Sequence, residues 1–324
     1  MRNAAPDAAA GRFRDEVEGL SSAAADARYG IAVSGGPDSM ALLLLAAQAF
    51  PGRVEAATVD HGLRAASRDE ASMVADWCGA QGIPHSILTP DVPITGSLQA
   101  SARAARYALL DRWRVDRRID WLMTAHHADD QLETILMRLN RGAGVAGLAG
   151  VRRRNGAVLR PLLGWRKAEL IALAHDAGLP FVEDPSNSDA RFDRANMRRH
   201  LAGADWLDPV AAAKSAAALA ESEEALNWMV SELAARHIVK DGDAIILQST
   251  DFPREVQRRL VLRMIAEAGG MAQPPRGDTL DDALARLEQG GKVSLGDWLL
   301  SGGSRWSLRP APPRRGSSVA MDDE

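Results

Sequence analysis

The sequence predicts an α/β protein: a parallel sheet covered by helices on both faces, followed by a helical linker and a small α+β domain. Three observations carry this. Between Tyr29 and about Leu163, short β-like runs alternate with stretches of helical periodicity. Just past three of those runs stand polar clusters: "SGGPDS" at Ser34–Ser39, Asp60-His61-Gly62, and His126-His127. After about Leu201 the alternation stops and an Ala-rich helical stretch begins.

In order, Ile31–Ser34 reads as a short buried strand, and a helix follows from about Asp38. "VEAATVD" is a second strand, with a helix from about Ser67 to Gly82. "HSILT", then the long Arg-rich helix "SLQASARAARYALLDRWRV", make the third pair. "DWLMTA" with "ADDQLETILMRLN" makes the fourth, and "AVLRPLL" with "WRKAELIALAHDAG" the fifth. The last helix closes at Gly178. Expected boundaries are an N-terminal extension at 1–28, a catalytic domain at 29–204, a helical linker at 205–240, a C-terminal α+β domain at 241–309 and a mobile tail at 310–324.

Ligands of parallel sheets sit beyond the carboxyl ends of the strands. The three polar clusters are therefore expected to converge on one crevice. At 324 residues the chain has room for two domains and a core that needs no disulfide. Its single cysteine, Cys78, excludes a disulfide framework within the chain and any Cys-x-x-Cys site; it reads as helix packing beside Met73, Val74 and Trp77. The first residues lack the apolar core of a signal peptide, and the apolar run Met40–Ala47 is too short to cross a bilayer. The expectation is a cytoplasmic protein with no membrane partner. A net charge of −4 conceals basic clusters in "SARAARYALLDRWRVDRR", "RRRNGAVLRPLLGWRK" and "RFDRANMRR", and such stripes can hold phosphate while the total stays negative.

A strand, a Gly-rich turn and a helix start together make an anion site, because the first helical amides lack partners and the helix dipole adds positive charge. Gly35 and Gly36 let oxygens approach the backbone, Pro37 suits the first helical position, and Ser34 and Ser39 add hydroxyl donors. No Gly-Lys-Ser/Thr follows, and the spacing is not Gly-x-Gly-x-x-Gly. Asp38 stands in the first turn instead; a carboxylate beside phosphate points to Mg²⁺ between them. On the fourth helix, Leu132, Ile135, Leu136 and Leu139 form an apolar stripe. Asp130 and Glu133, roughly 60° apart, turn away from it toward the crevice, where two carboxylates can hold an amine. Asp129 and Gln131 are expected on a solvated face. A metal site at "HHADD" finds no supporting ligand cluster.

Ser-Gly-Gly-x-Asp-Ser resembles the pyrophosphate loop of the PP-loop ATPase superfamily, enzymes with an adenine nucleotide alpha hydrolase-like fold that split ATP between its α and β phosphates. "VDHGLRAASRDEASMVADWC", "SLQASARAARYALL", "TAHHADDQLETILMRLNRGAGVAGLAG", "LRPLLGWRKAEL" and "GLPFVEDPSNSDARFDR", in that order, resemble the tRNA(Ile)-lysidine synthetase family within it. The likeness is dense over 29–201 and loose beyond. It implies a ligase that adenylates C2 of the wobble cytidine, position 34, of tRNA(Ile) with a CAU anticodon and joins L-lysine to it, releasing AMP and pyrophosphate.

The resemblance implies residue roles as well. ATP would lie on Ser34, Gly35, Gly36, Pro37, Asp38 and Ser39, with Asp60 and His61 at its adenine or ribose, and Asp38 would hold Mg²⁺. Asp130 and Glu133 would orient lysine, with His126 alongside; the proton acceptor is His126 or a carboxylate. Arg106 would touch ATP or the activated nucleotide, with Arg103 on the same helix face contacting RNA. Arg152, Arg153 and Arg154 would position the tRNA backbone. Arg194 and Arg198 would serve the nucleotide, although Ala195 stands where the family's Arg-Asn-x-x-Arg has Asn, and Asn196 follows it. Expected partners are thus tRNA(Ile), ATP, Mg²⁺ and L-lysine, with a homodimer left open. NAD synthetase shares the loop, but its substrates do not explain the arginine clusters or the extra domain. A tRNA thiolase needs sulfur-carrying or cluster-binding cysteines, for which Cys78 alone is a poor candidate. A nucleotide-binding regulatory module without turnover has no use for converging Asp130, Glu133 and His126.

Overall fold

A computed structural model describes residues 4–22, 25–60, 66–90, 98–182, 193–271, 275 and 277–312. The chain forms two compact units, Met1–Glu221 and Ser222–Glu324.

The first unit begins with helix α1 (Ala4–Ser21) and continues β1 (Tyr29–Ala32), α2 (Pro37–Ala49), β2 (Val54–Val59), α3 (Ala66–Ala80), β3 (His85–Leu88), α4 (Leu98–Asp116), β4 (Trp121–Met123) and α5 (Ala128–Leu139). A short α6 (Val145–Leu148), a hairpin of β5 (Arg154–Asn155) and β6 (Val158–Leu159), α7 (Lys167–Asp176) and α8 (Asp193–Leu201) follow. Six strands make one sheet in the order β3-β2-β1-β4-β6-β5, parallel throughout except for β5, which returns antiparallel along β6. The expected fifth strand "AVLRPLL" is therefore two residues of β6, and an edge strand precedes it that periodicity could not reveal at that length.

Alternate residues face opposite sides of the sheet. Ile31, Ala56 and Met123 enter the core shared with α1, α2 and α7, while Ala32, Ala57 and Leu122 face Leu110 and Trp113 of α4. The segment before Tyr29, read from sequence as an extension, contributes Phe13 and Val17 to the first core, both fully buried. Cys78 is buried in that core too, and burial pushes its thiol up to about 11.

This strand order places the site. The chain builds β1, β2 and β3 outward in one direction, then crosses back to lay β4 on the other side of β1. The loops after β1 and β4 consequently diverge and leave a crevice at the carboxyl rim, the switch point where such sheets bind ligands.

The second unit holds most of the long helix α9 (Pro209–His237), within which the division between units falls. Five strands, β7 (Ile238–Asp241), β8 (Ala244–Leu247), β9 (Lys292–Leu295), β10 (Trp298–Ser301) and β11 (Trp306–Pro310), form an antiparallel sheet in the order β7-β8-β11-β10-β9. Helices α10 (Arg254–Glu267) and α11 (Gly277–Glu288) bury Leu260, Met264, Leu280 and Leu284 against Leu300, Trp306 and Leu308 of that sheet. Among the described residues, no helix is long and apolar enough to cross a membrane.

Candidate active site

The loop after β1 is preorganised by its own side chains. Ser39 Oγ donates to the Gly36 carbonyl at 2.9 Å, accepts from the Ser34 amide at 3.1 Å and lies 3.2 Å from Ser34 Oγ. Gly35 takes φ +81, a left-handed conformation that a side chain would strain. Gly36 caps α2 from extended backbone, and Pro37 follows at the first helical position. A Cβ on Gly36 would meet nothing closer than 3.8 Å, so packing does not demand a glycine there. The amides of Gly35 and Gly36 make no hydrogen bond among the described residues. Such a cradle is complementary to phosphate oxygens.

Asp38 extends from this loop toward β4's rim. Its Oδ1 is buried without a hydrogen-bond partner, and its Oδ2 lies 3.6 Å from His127 Nε2. His127 is almost fully buried and caps α5, its Nδ1 accepting from the Asp130 amide at 3.3 Å while the His127 amide donates to Asp130 Oδ2 at 3.2 Å. Its Nε2 lies 3.5 Å from Asp130 Oδ2, so one imidazole stands between the phosphate-loop carboxylate and the α5 carboxylates. Burial opposes charge on His127, but Asp38, Asp130 and Asp129 together outweigh it and raise its pKa. His126 behaves oppositely. Burial dominates, and its ring, 2.9 Å from Thr124 Oγ1, is pushed down to about 3 and stays neutral.

Asp130 and Glu133 are both buried on the first turns of α5. Arg198 of α8 meets them, Nε to Glu133 Oε1 at 2.6 Å and Nη2 to Asp130 Oδ1 at 3.3 Å. Arg194 adds a contact of 3.7 Å from its Nε to Glu133 Oε2 and donates from Nη2 to Thr134 Oγ1 at 2.8 Å. Glu133 Oε2 is nevertheless buried with no hydrogen bond. Burial raises the Glu133 pKa despite Arg198, whereas His127 and the rest of the positive surroundings hold Asp130 down against its own burial.

The loop, Asp38, His126, Asp130, Glu133, Arg194 and Arg198 are thus brought together, with Asp60 buried at the end of β2. Asp38 is only about a quarter exposed, with His127 beside it. His61 lies outside the described residues, as does the Ser67 side chain. Arg103 stacks on Tyr107 at 5.2 Å from the ring centroid, and burial lowers the pKa of Arg106, one turn along α4. Arg153 pairs with Glu16, and Arg154 lies 4.5 Å over the Trp121 ring, so both carry internal contacts. Arg152 Nη1 is buried without a partner.

The apolar stripe on α5 is buried only at Leu132, while Leu139 is exposed; Asp130, Gln131, Glu133 and Thr134 are buried on the same helix. One sequence expectation for α5 is corrected. Asp129 and Gln131 are not on a solvated face. Asp129 accepts from the Lys167 amide at 2.7 Å, and Gln131 bonds both the amide and the carbonyl of Val151, at 2.7 and 2.9 Å. Thr134 escaped the sequence reading, and His127, read only as part of the polar cluster after the fourth strand, was given no role of its own; its adjacency to a strand end and to Asp130 was the available signal.

A family model described as the PP-loop domain matches residues 10–204. The chain is 42% identical over 313 residues to the tRNA(Ile)-lysidine synthase of Zymomonas mobilis, covering 94% of each chain. It is 43% identical over 318 residues to that of Novosphingobium aromaticivorans, covering 95% of each. The chain belongs to the tRNA(Ile)-lysidine synthase family. The matching PP-loop domain supports ATP as the nucleotide of this family. A U34-tRNA thiolase from Methanococcus maripaludis shares the fold at a TM-score of 0.53 and 17% identity, over 65% of this chain and 78% of that one. Among the described residues no cluster of three His, Cys, Asp or Glu can hold a metal by itself.

Proposed function

We propose that the chain converts the wobble cytidine, position 34, of tRNA(Ile) with a CAU anticodon to lysidine, consuming ATP and L-lysine in the cytoplasm. The observation that carries this is the junction of an anion cradle with two buried carboxylates, of which Glu133 keeps one oxygen free of hydrogen bonds. A buried acceptor without a donor is costly, and an ammonium group would satisfy it.

The loop Ser34–Ser39 holds the β and γ phosphates of ATP. The cytidine O2 attacks the α-phosphate, pyrophosphate leaves, and C2 becomes an activated centre. Lysine lies with its side-chain nitrogen at Asp130 and Glu133. It must lose a proton before its lone pair attacks C2 and AMP departs. Glu133, with its raised pKa and open Oε2, is the base assigned here, since His126 is too weakly basic to hold the proton. The orphaned Oδ1 of Asp38 fits a Mg²⁺ ligand; Asp38 would hold the ion, which would neutralise charge building on the leaving group.

The test is incorporation of labelled lysine into a tRNA(Ile) transcript with a CAU anticodon, matched by release of AMP. Lysine incorporation that requires ATP supports the reading. ATP consumption without incorporation, or ATP binding with no turnover, discards it.

A further inference from the structure

Arg160 lies immediately past β6 on the carboxyl rim of the sheet, where the Thr124 amide of the neighbouring strand donates to the Leu159 carbonyl at 3.1 Å. Only 6% of its surface is exposed. No carboxylate pairs with it among the described residues: its Nη1 donates to the Arg152 carbonyl at 2.8 Å, and its Nε is buried with no partner. A buried guanidinium without a counter-charge is expensive, and an arriving anion would offset that cost. We infer that Arg160 grips a backbone phosphate of the RNA beside the nucleotide being modified.

Its surroundings fit that ligand. Arg160, Arg103 and Arg194 all stand near enough to His126 to disfavour its protonated form, with Asp130 opposing them, so three guanidinium groups gather there around one carboxylate. Arg152 contributes a second buried N–H without a partner, at Nη1. Position decides which phosphate is bound. The strand order runs β1, β4, β6, and neighbouring strands lie about 4.8 Å apart, so Arg160 sits roughly 10 Å along the rim from the strand that carries the ATP cradle. The pyrophosphate end of ATP is served at β1; the anion at β6 belongs to the second substrate. Guanidinium forks suit phosphodiesters, and single-stranded loops leave them accessible.

This rests on the proposed function, and binding measurements separate the two. Filter binding of the tRNA(Ile) transcript is followed against salt for the wild type and for Arg160→Met. The same is done with transcripts carrying one neutral methylphosphonate on either side of the target cytidine. Arg160→Met is expected to weaken binding roughly 10- to 100-fold and to lower the slope of log affinity on log salt by about 0.7–0.9. One of the two methylphosphonates should weaken the wild type similarly and add nothing to Arg160→Met. Additive losses at both linkages overturn the inference and leave Arg160 a support for the Arg152–Arg154 segment. Unchanged RNA binding with a raised KM for ATP also overturns it, assigning Arg160 to the α-phosphate. Where thermal melting shows that Arg160→Met does not fold, Arg160→Lys should retain most of the salt slope, and a wild type indifferent to both methylphosphonates overturns the inference alone. A wild type that does not bind the transcript fails the proposed function itself.

Discussion

Arg198 Nε and Glu133 Oε1 lie 2.6 Å apart, joining α8 to α5 across the mouth of the carboxylate pair. The contact leaves the second oxygen of Glu133 buried with no hydrogen bond, Arg194 Nε standing 3.7 Å from it. Arg198 therefore fixes the rotamer of Glu133 without filling its place for an incoming amine. Glu133→Ala should raise the KM for lysine by roughly 30-fold or more, as expected when one partner of a buried charge pair is removed, and leave the KM for ATP within about twofold. Steady-state kinetics with each substrate varied in turn checks this. Equal effects on both constants would remove Glu133 from the lysine site.

Asp38→Ala is expected to abolish turnover while leaving a folded protein, at a cost of about 1 kcal/mol for the charge lost beside His127. Its Oδ1 has no partner to lose, and Oδ2 makes only a long contact to His127. Denaturant melts together with pyrophosphate release read both halves of the claim. Normal turnover would show that no ion depends on this carboxylate.

The two loop glycines should separate. Gly36→Ala meets no atom within 3.4 Å and needs no left-handed backbone, so the fold should tolerate it while the methyl group obstructs phosphate approach. Gly35→Ala forces a side chain to φ +81 and should cost about 1–2 kcal/mol. Thermal melts and nucleotide binding on both variants test the pair. Unaltered nucleotide binding in Gly36→Ala would place the phosphates elsewhere.

His126 makes stability fall on the acid side. Its ring is held at about 3 by burial, against about 6.5 in an unfolded chain. Between those values the unfolded state binds a proton that the folded state refuses. Stability from this group is therefore complete above about pH 6.5 and declines as the pH falls toward 3, by about 1.4 kcal/mol per unit at most. His126→Gln should flatten that slope in urea melts at pH 7.5 and 5.0, the remaining groups being common to both proteins. A slope unchanged by the substitution would mean that the ring is already charged in the native state.

The alternation of runs sufficed to predict the sheet and the convergence of Ser34–Ser39 with His126 at one rim, because hydrophobic period and strand ends are local properties. The pairing of charges was not legible. Asp129 and Gln131 look like a solvated face until α7 and the Val151 backbone arrive to bond them. The segment before Tyr29 reads as an extension, yet its helix α1 buries Phe13 and Val17 in the core, with Ala9 and Leu20 packed against it. Arg160 gave no hint, since it lies inside the run "AVLRPLL" read as the fifth strand; its burial depends on neighbours distant in the chain.

Cys78 carries a practical consequence. The single sulfhydryl of the chain is sealed in the first core and resists ionisation, so maleimide and iodoacetamide reagents should pass it by. A cysteine introduced at the exposed Trp206 or Trp228 would then be the only one to react, allowing a dye in either unit to report RNA docking from an otherwise unaltered background.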